Sequence, residues 1–98
     1  MTASSPALET DALAAVRAAG VLAVVRAPSP ESALAAADAL LAGGITGIEV
    51  TYSTPDAAAV IAELVRRHGD AAYVGAGTVT TPAQAAEVAA SADGVVVG

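Results

Sequence analysis

The chain reads as an α/β protein made of parallel βα repeats with one helix ahead of them, and three observations predict it. Short β-branched runs recur with starts roughly 22–26 residues apart, the rhythm that repeated strand–helix units require. Each early run is followed by a turn-forming cluster and then by apolar residues at helical spacing. No linker or low-complexity segment interrupts the series, so the units form one continuous array.

The elements follow in order. Leu8, Ala12, Ala15, Val16 and Ala19 recur at helical spacing and Gly20 supplies a stop. "VLAVVRA" (21–27) is a short β-branched run and predicts a strand. In "PSPES", Ser29 suits an N-cap, Pro30 the first helical position, and Glu31 the positive end of the helix dipole. That helix is expected to run through Ala33–Ala42 and to end at Gly43–Gly44. "ITGIEVTY" (45–52) is the second strand, and "STPDA" opens a helix with Thr54 as cap and Pro55 at its first position, closed by His68–Gly69. "AAYVGAG" (71–77) is the third strand, Thr81 and Pro82 open the next helix in the same way, and "DGVVVG" (93–98) is the last strand.

Strands separated by helices pair in parallel through right-handed crossovers, which leaves an open doubly wound sheet or a TIM (β/α)8 barrel. The second strand favours the barrel. Ile48, Val50 and Tyr52 alternate there with Glu49, Thr51 and Ser53, whereas a central strand of a doubly wound sheet is apolar on both faces. One polar face suits a strand lining a barrel interior near its catalytic end. A whole barrel takes about 250 residues. Residues 1–98, with four strands, are therefore expected to form a single partial domain, the N-terminal half of a TIM barrel.

Composition removes several function classes. The net charge is −6, with four arginines and no lysine, which argues against nonspecific nucleic-acid binding, since that needs clustered cations. There is no cysteine and a single histidine, so a disulfide framework, a thiolate nucleophile and a Cys- or His-rich metal site are excluded. The start of the chain lacks a basic segment followed by a long apolar core, and no uncharged apolar run reaches the ~18 residues of a membrane span. The expectation is a soluble, cytoplasmic protein with no nucleic-acid or membrane partner.

Three residues stand out as candidates. Glu49 is a carboxylate flanked by apolar positions; it is either a solvated edge residue or a partly desolvated group, and burial would make it a general acid/base near neutral pH. Arg26 ends the first strand, at the edge where barrel sites collect. Its guanidinium suits a substrate carboxylate or phosphate, and the structural alternative is an ion pair with Glu49 or Glu31. In "GAGTVTT" (75–81) the glycines let a ligand approach the backbone, and the Thr78 hydroxyl with nearby amides could hold an anion. A plain strand-to-helix turn explains that segment as well, since it is neither GxGxxG nor a Walker loop. Arg66, Arg67 and His68 cluster at a helix C-terminus, where the dipole favours cations; they read as structural.

Taken together, "AVVRA", "GGITGIEVTYSTPDA" and "VGAGTVTTPAQ", in this order and spacing, resemble the 2-keto-3-deoxy-6-phosphogluconate (KDPG)/4-hydroxy-2-oxoglutarate (KHG) aldolase family over about Ala12 to Gly98. The combination of "EVT" (49–51) with "GAGTV" (75–79), about a helix apart, is far more specific than either piece alone. The resemblance implies a homotrimeric (β/α)8 barrel, an aldehyde-lyase that cleaves a 2-keto-3-deoxy sugar acid phosphate to pyruvate and an aldehyde. It implies class I chemistry through a lysine Schiff base, with no metal or other cofactor. By the same resemblance Glu49 matches the general acid/base that relays protons, through water, to and from the carbinolamine and the substrate hydroxyl. Thr78 matches the threonine that helps bind the pyruvate carboxylate. Some members carry a carboxylate-binding arginine four residues after the glutamate, where this chain has Ser53; members with a first strand like this one carry it there, at Arg26.

The family's Schiff-base lysine lies on the sixth strand and its phosphate-binding glycines near the seventh and eighth, whereas this chain has four predicted strands and no lysine. The N-terminal amine is expected far from the strand ends. Without a positioned amine, pyruvate cannot become the electrophilic iminium, so the expectation is an inactive fragment of a longer enzyme. Two further readings stay open. One is a non-catalytic half-barrel that binds anions or self-associates through its uncovered sheet; the other is a different barrel lyase or phosphate-binding barrel with the same βα rhythm.

Overall fold

A computed structural model describes the backbone of residues 4–98 and the side chains of residues 11–98. In chain order it contains α1 (Ser4–Ala19), β1 (Leu22–Val25), α2 (Pro30–Ala42), β2 (Gly47–Thr51), α3 (Ala57–His68), a 3₁₀ turn (Gly69–Ala71), β3 (Tyr73–Val79), α4 (Pro82–Ala89) and β4 (Gly94–Val97). The four strands form one parallel sheet in the order β1-β2-β3-β4. Sequential neighbours pair throughout, as in a segment of a barrel wall. Among the described residues no helix is long and apolar enough to cross a membrane.

Local chemistry sets most of the boundaries. Ser29 caps α2 by accepting from the Ser32 backbone N–H, with Pro30 at the first position, and Gly43 ends the helix. Thr81 caps α4 in a reciprocal box with Gln84, with Pro82 behind it. Gly20 leaves α1 with φ of 76°, a left-handed conformation that glycine takes without a Cβ penalty.

The start of α3 differs from the sequence expectation. Thr54 and Pro55 do not open it. The chain turns through residues 52–56, Asp56 takes a left-handed φ of 54°, and the helix begins at Ala57 without a side-chain cap. The reason is long-range: the Thr54 hydroxyl is buried and accepts a hydrogen bond from the Ala27 backbone N–H at 3.2 Å. That bond ties the loop after β2 to the loop after β1, and the hydroxyl is no longer free to cap.

Helices α2, α3 and α4 cover one face of the sheet. Ile48 and Val50 of β2, Val74, Ala76 and Val79 of β3 and Val25 of β1 pack there against Ala33 and Ala37 of α2, Val60, Ile61 and Leu64 of α3 and Val88 of α4. Ile61 and Leu64 are fully buried, worth about 1.5–3 kcal/mol each relative to exposure. The opposite, inner face carries Val24, Glu49, Gly75 and Gly94 in one register row, and Val24 there is 58% exposed. Helix α1 packs at the N-terminal ends of the strands, where Ala19 meets Gly47. The C-terminal ends of the strands, with the loops that follow them, form the opposite edge.

Candidate functional site

Glu49 stands at the centre of β2 on the inner face, half-buried between buried Ile48 and Val50. Its side chain does not lie level with its own register partner, Gly75. It reaches diagonally onto Gly77, where an added Cβ would be 2.6 Å from Glu49 Cδ and 2.9 Å from Cγ. The carboxyl group thus occupies the space a side chain would fill at Gly77, one row nearer the C-terminal ends of the strands.

Thr78 follows directly and has φ of 54°, a left-handed conformation that is a genuine outlier for a β-branched residue. The ladder between β3 and β4 shifts register between Ala76 and Val79 at the same place. Such local strain, of order 1–3 kcal/mol, concentrates at ligand-binding positions. The Glu49 carboxyl group thus lies over the residue that directly precedes Thr78.

Arg26 lies one residue beyond the last paired position of β1 and is exposed. It makes no salt bridge with a described residue, so the alternative ion pair with Glu49 or Glu31 is not formed. Its guanidinium is at the correct edge of the sheet but is not joined to Glu49. Ser53 is exposed, and its hydroxyl lies 2.6 Å from that of Thr51.

The turn after β3 is not an open anion cradle. The Thr80 and Thr81 backbone N–H groups donate to Gln84 Oε1 at 2.8 and 3.3 Å, and the Gln84 N–H donates to Thr81 Oγ1 at 3.2 Å. The Thr80 and Thr81 amides at the end of "GAGTVTT" are thus already satisfied within the chain. Arg66, Arg67 and His68 are structural, as expected. Arg66 and Arg67 bind Glu63, while Arg67 and His68 reach Asp38 and tie α3 to α2. The hydrogen bonds from Arg66 and Arg67 hold the Glu63 carboxyl down to about 2.

Sequence reasoning missed Tyr73, a buried residue in register with Gly47. Its phenol lies across the glycines of the inner face: a Cβ at Gly75 would be 2.8 Å from the hydroxyl, and one at Gly94 would be 3.1 Å from Cζ. Burial, then the negative charges of Glu49 and Asp93, push the Tyr73 pKa up. The alternation of Tyr73, Gly75 and Gly77 was the available signal, since it leaves one face of β3 bare beyond the tyrosine. A cleft of about 400 Å³ opens beneath α1, lined by Asp11, Asp70 and Asp93 among others. It lies at the N-terminal ends of the strands, the edge that serves stability in barrels, and not beside Glu49.

Comparison with known proteins bears on this geometry. A family model described as KDPG and KHG aldolase matches residues 13–98. The 2-dehydro-3-deoxy-6-phosphogalactonate aldolase of Escherichia coli (strain K12) is 34% identical over 64 residues, covering 65% of this chain and 31% of that protein. Among solved structures, the KDPG aldolase from Legionella pneumophila, with pyruvate captured at low pH as a covalent carbinolamine intermediate, superposes with a TM-score of 0.58. It is 41% identical, over 71% of this chain and 32% of that one. The chain thus matches about a third of the length of each relative.

Proposed function

Because the chain belongs to the KDPG and KHG aldolase family, we propose that residues 1–98 are a partial domain carrying the glutamate side of a class I aldolase site. Its substrate would be 2-keto-3-deoxy-6-phosphogluconate, 4-hydroxy-2-oxoglutarate or both. The observation that carries this reading is the Glu49 carboxyl group lying over Gly77, with the left-handed Thr78 next to it. In this assignment Glu49 takes the proton of the substrate hydroxyl as the carbon–carbon bond breaks, and returns it to the pyruvate half. The Thr78 hydroxyl holds the keto acid carboxylate, and Arg26, unpaired with described residues, adds a charge-assisted contact from the same edge.

The electron pair released by bond cleavage needs an iminium to receive it, and this chain contains no lysine. The N-terminal amine of Met1, expected far from the strand ends, lies outside the described residues. The chain by itself is therefore proposed to be inactive, and borohydride with pyruvate should leave it unmodified. A chimera tests the positive half of the reading. In it, this chain replaces the matching third of the Legionella pneumophila KDPG aldolase. Cleavage of 2-keto-3-deoxy-6-phosphogluconate should fall about 10²–10⁴-fold on Glu49→Gln, the usual scale of acid/base catalysis. An active chimera indifferent to that substitution would refute the role of Glu49.

A second reading, self-association through the inner face, draws on the exposure of Val24 and Val96. Sedimentation of the purified chain separates the two. A discrete dimer that unfolds cooperatively supports the module, and polydisperse aggregate does not. Cytoplasmic location and a trimeric full-length assembly remain parts of the proposal, resting on family membership.

A further inference from the structure

Two long side chains on the inner face share three glycine positions, and the way they share them decides where Glu49 points. Glu49 is in register with Gly75, so the bare surface nearest to it is the one at its own level. That surface is occupied. The Tyr73 ring rises from the row below and covers both glycines of that level. A Cβ at Gly75 would lie 3.0 Å from Tyr73 Cε2, and one at Gly94 would lie 3.3 Å from Cε1. The next bare surface is at Gly77, and the carboxyl group lies there.

We propose that Tyr73 is a positioning residue for Glu49: by filling the Gly75–Gly94 slot, its ring drives the carboxylate forward onto Gly77, toward Thr78 and the C-terminal ends of the strands. The proposal rests on the reading of Glu49 as the acid/base group. The step from Gly75 to Gly77 is about 6.6 Å along the strand. Misplacement by even ~1 Å can cost about 10²-fold in rate, so a carboxylate settled on Gly75 would be out of reach of a substrate held at Thr78. Tyrosine suits the task because its apolar ring fills the slot and its hydroxyl is neutral, a form that burial and the charges of Glu49 and Asp93 favour further. An ionised filler at this position would repel both.

The test uses the chain itself, isotopically labelled, and reads nuclear Overhauser contacts from the Glu49 γ protons to the glycine α protons. Wild type and Tyr73→Phe, which keeps the ring, should both show the Glu49–Gly77 contact. Tyr73→Val keeps strand propensity but is too short to cover Gly75. It should lose most of that cross-peak intensity, at least about fivefold given the steep distance dependence of the effect, and gain a Glu49–Gly75 contact. Tyr73→Leu makes the same comparison if the valine variant gives a collapsed spectrum. A Glu49–Gly77 contact of wild-type strength in the shortened variant overturns the proposal, and so does its loss in Tyr73→Phe. No substrate is involved, so failure here leaves the acid/base role of Glu49 standing, while failure of the chimera leaves this geometry standing.

Discussion

The carboxyl group of Glu49 occupies the place of the missing side chain at Gly77, reaching across from β2 to β3 and one row forward. Gly77→Ala would put a Cβ 2.6 Å from Glu49 Cδ, so one group must move. The end of a glutamate chain swings away cheaply, and the expected loss of stability is under about 1 kcal/mol, below the usual 1–3 kcal/mol of overpacking. The loss falls on the site instead. In the aldolase chimera Gly77→Ala should lower turnover by about 10²-fold, and a variant that loses neither stability nor turnover would contradict the placement.

Gly47 offers the opposite case. A Cβ there would lie 2.6 Å from the Val21 carbonyl oxygen and 3.0 Å from Ala19 Cβ, at the junction of α1, β1 and β2. These are backbone and short side-chain atoms that cannot swing aside. Gly47→Ala is expected to cost about 1–3 kcal/mol, visible as a lower midpoint in urea unfolding at unchanged slope. Equal midpoints for Gly47→Ala and Gly77→Ala would show that mobility of the neighbour is not what separates them.

Thr78 holds a left-handed backbone that glycine would adopt freely. Thr78→Gly removes the strain and the hydroxyl together. The variant should unfold at the same urea concentration or slightly higher, by up to about 1 kcal/mol, while keto acid binding in the chimera weakens. A clear destabilisation would mean that packing of the threonine methyl outweighs its strain.

Much of this was legible in the sequence because it is local. Ser29 with Pro30, and Thr81 with Pro82 and Gln84, cap helices through atoms three residues apart. The alternation around Glu49 places the carboxylate on the inner face without reference to any other strand. What escaped depends on distant partners. Thr54 has the local chemistry of a cap, but Ala27, 27 residues earlier, takes its hydroxyl. Tyr73 and Glu49 are 24 positions apart, and which glycine each covers depends on the register of β2 against β3. The left-handed turn at Thr78 coincides with the shift between β3 and β4, and "GAGTV" gives no hint that the threonine, not a glycine, takes it.

Alkaline pH separates the two faces of the sheet, because each carries one of the two tyrosines. Tyr52 points to the helix side, where its hydroxyl donates to the Gln84 carbonyl oxygen at 3.3 Å and to Glu87 Oε1. Burial, then the hydrogen bond and charge of Glu87, push its pKa up from 10.0 to about 12. A phenol with a raised folded-state pKa binds its proton more tightly folded than unfolded. Its contribution to stability is therefore complete below pH 10 and is lost as pH rises from there through about 12. Tyr73 is raised as well and acts with the same sign. Unfolding free energies measured by urea between about pH 9 and 11.5 should thus fall with pH in the wild type, and less steeply in Tyr52→Phe. Glu87→Gln should reduce the slope only in part, since burial is the larger cause at Tyr52, and Glu49→Gln should reduce it through Tyr73 alone. The effects of Glu87→Gln and Glu49→Gln should add, because the two pairs lie on opposite faces and share no partner. Strong non-additivity would place both carboxylates on one tyrosine and overturn the arrangement of the inner face.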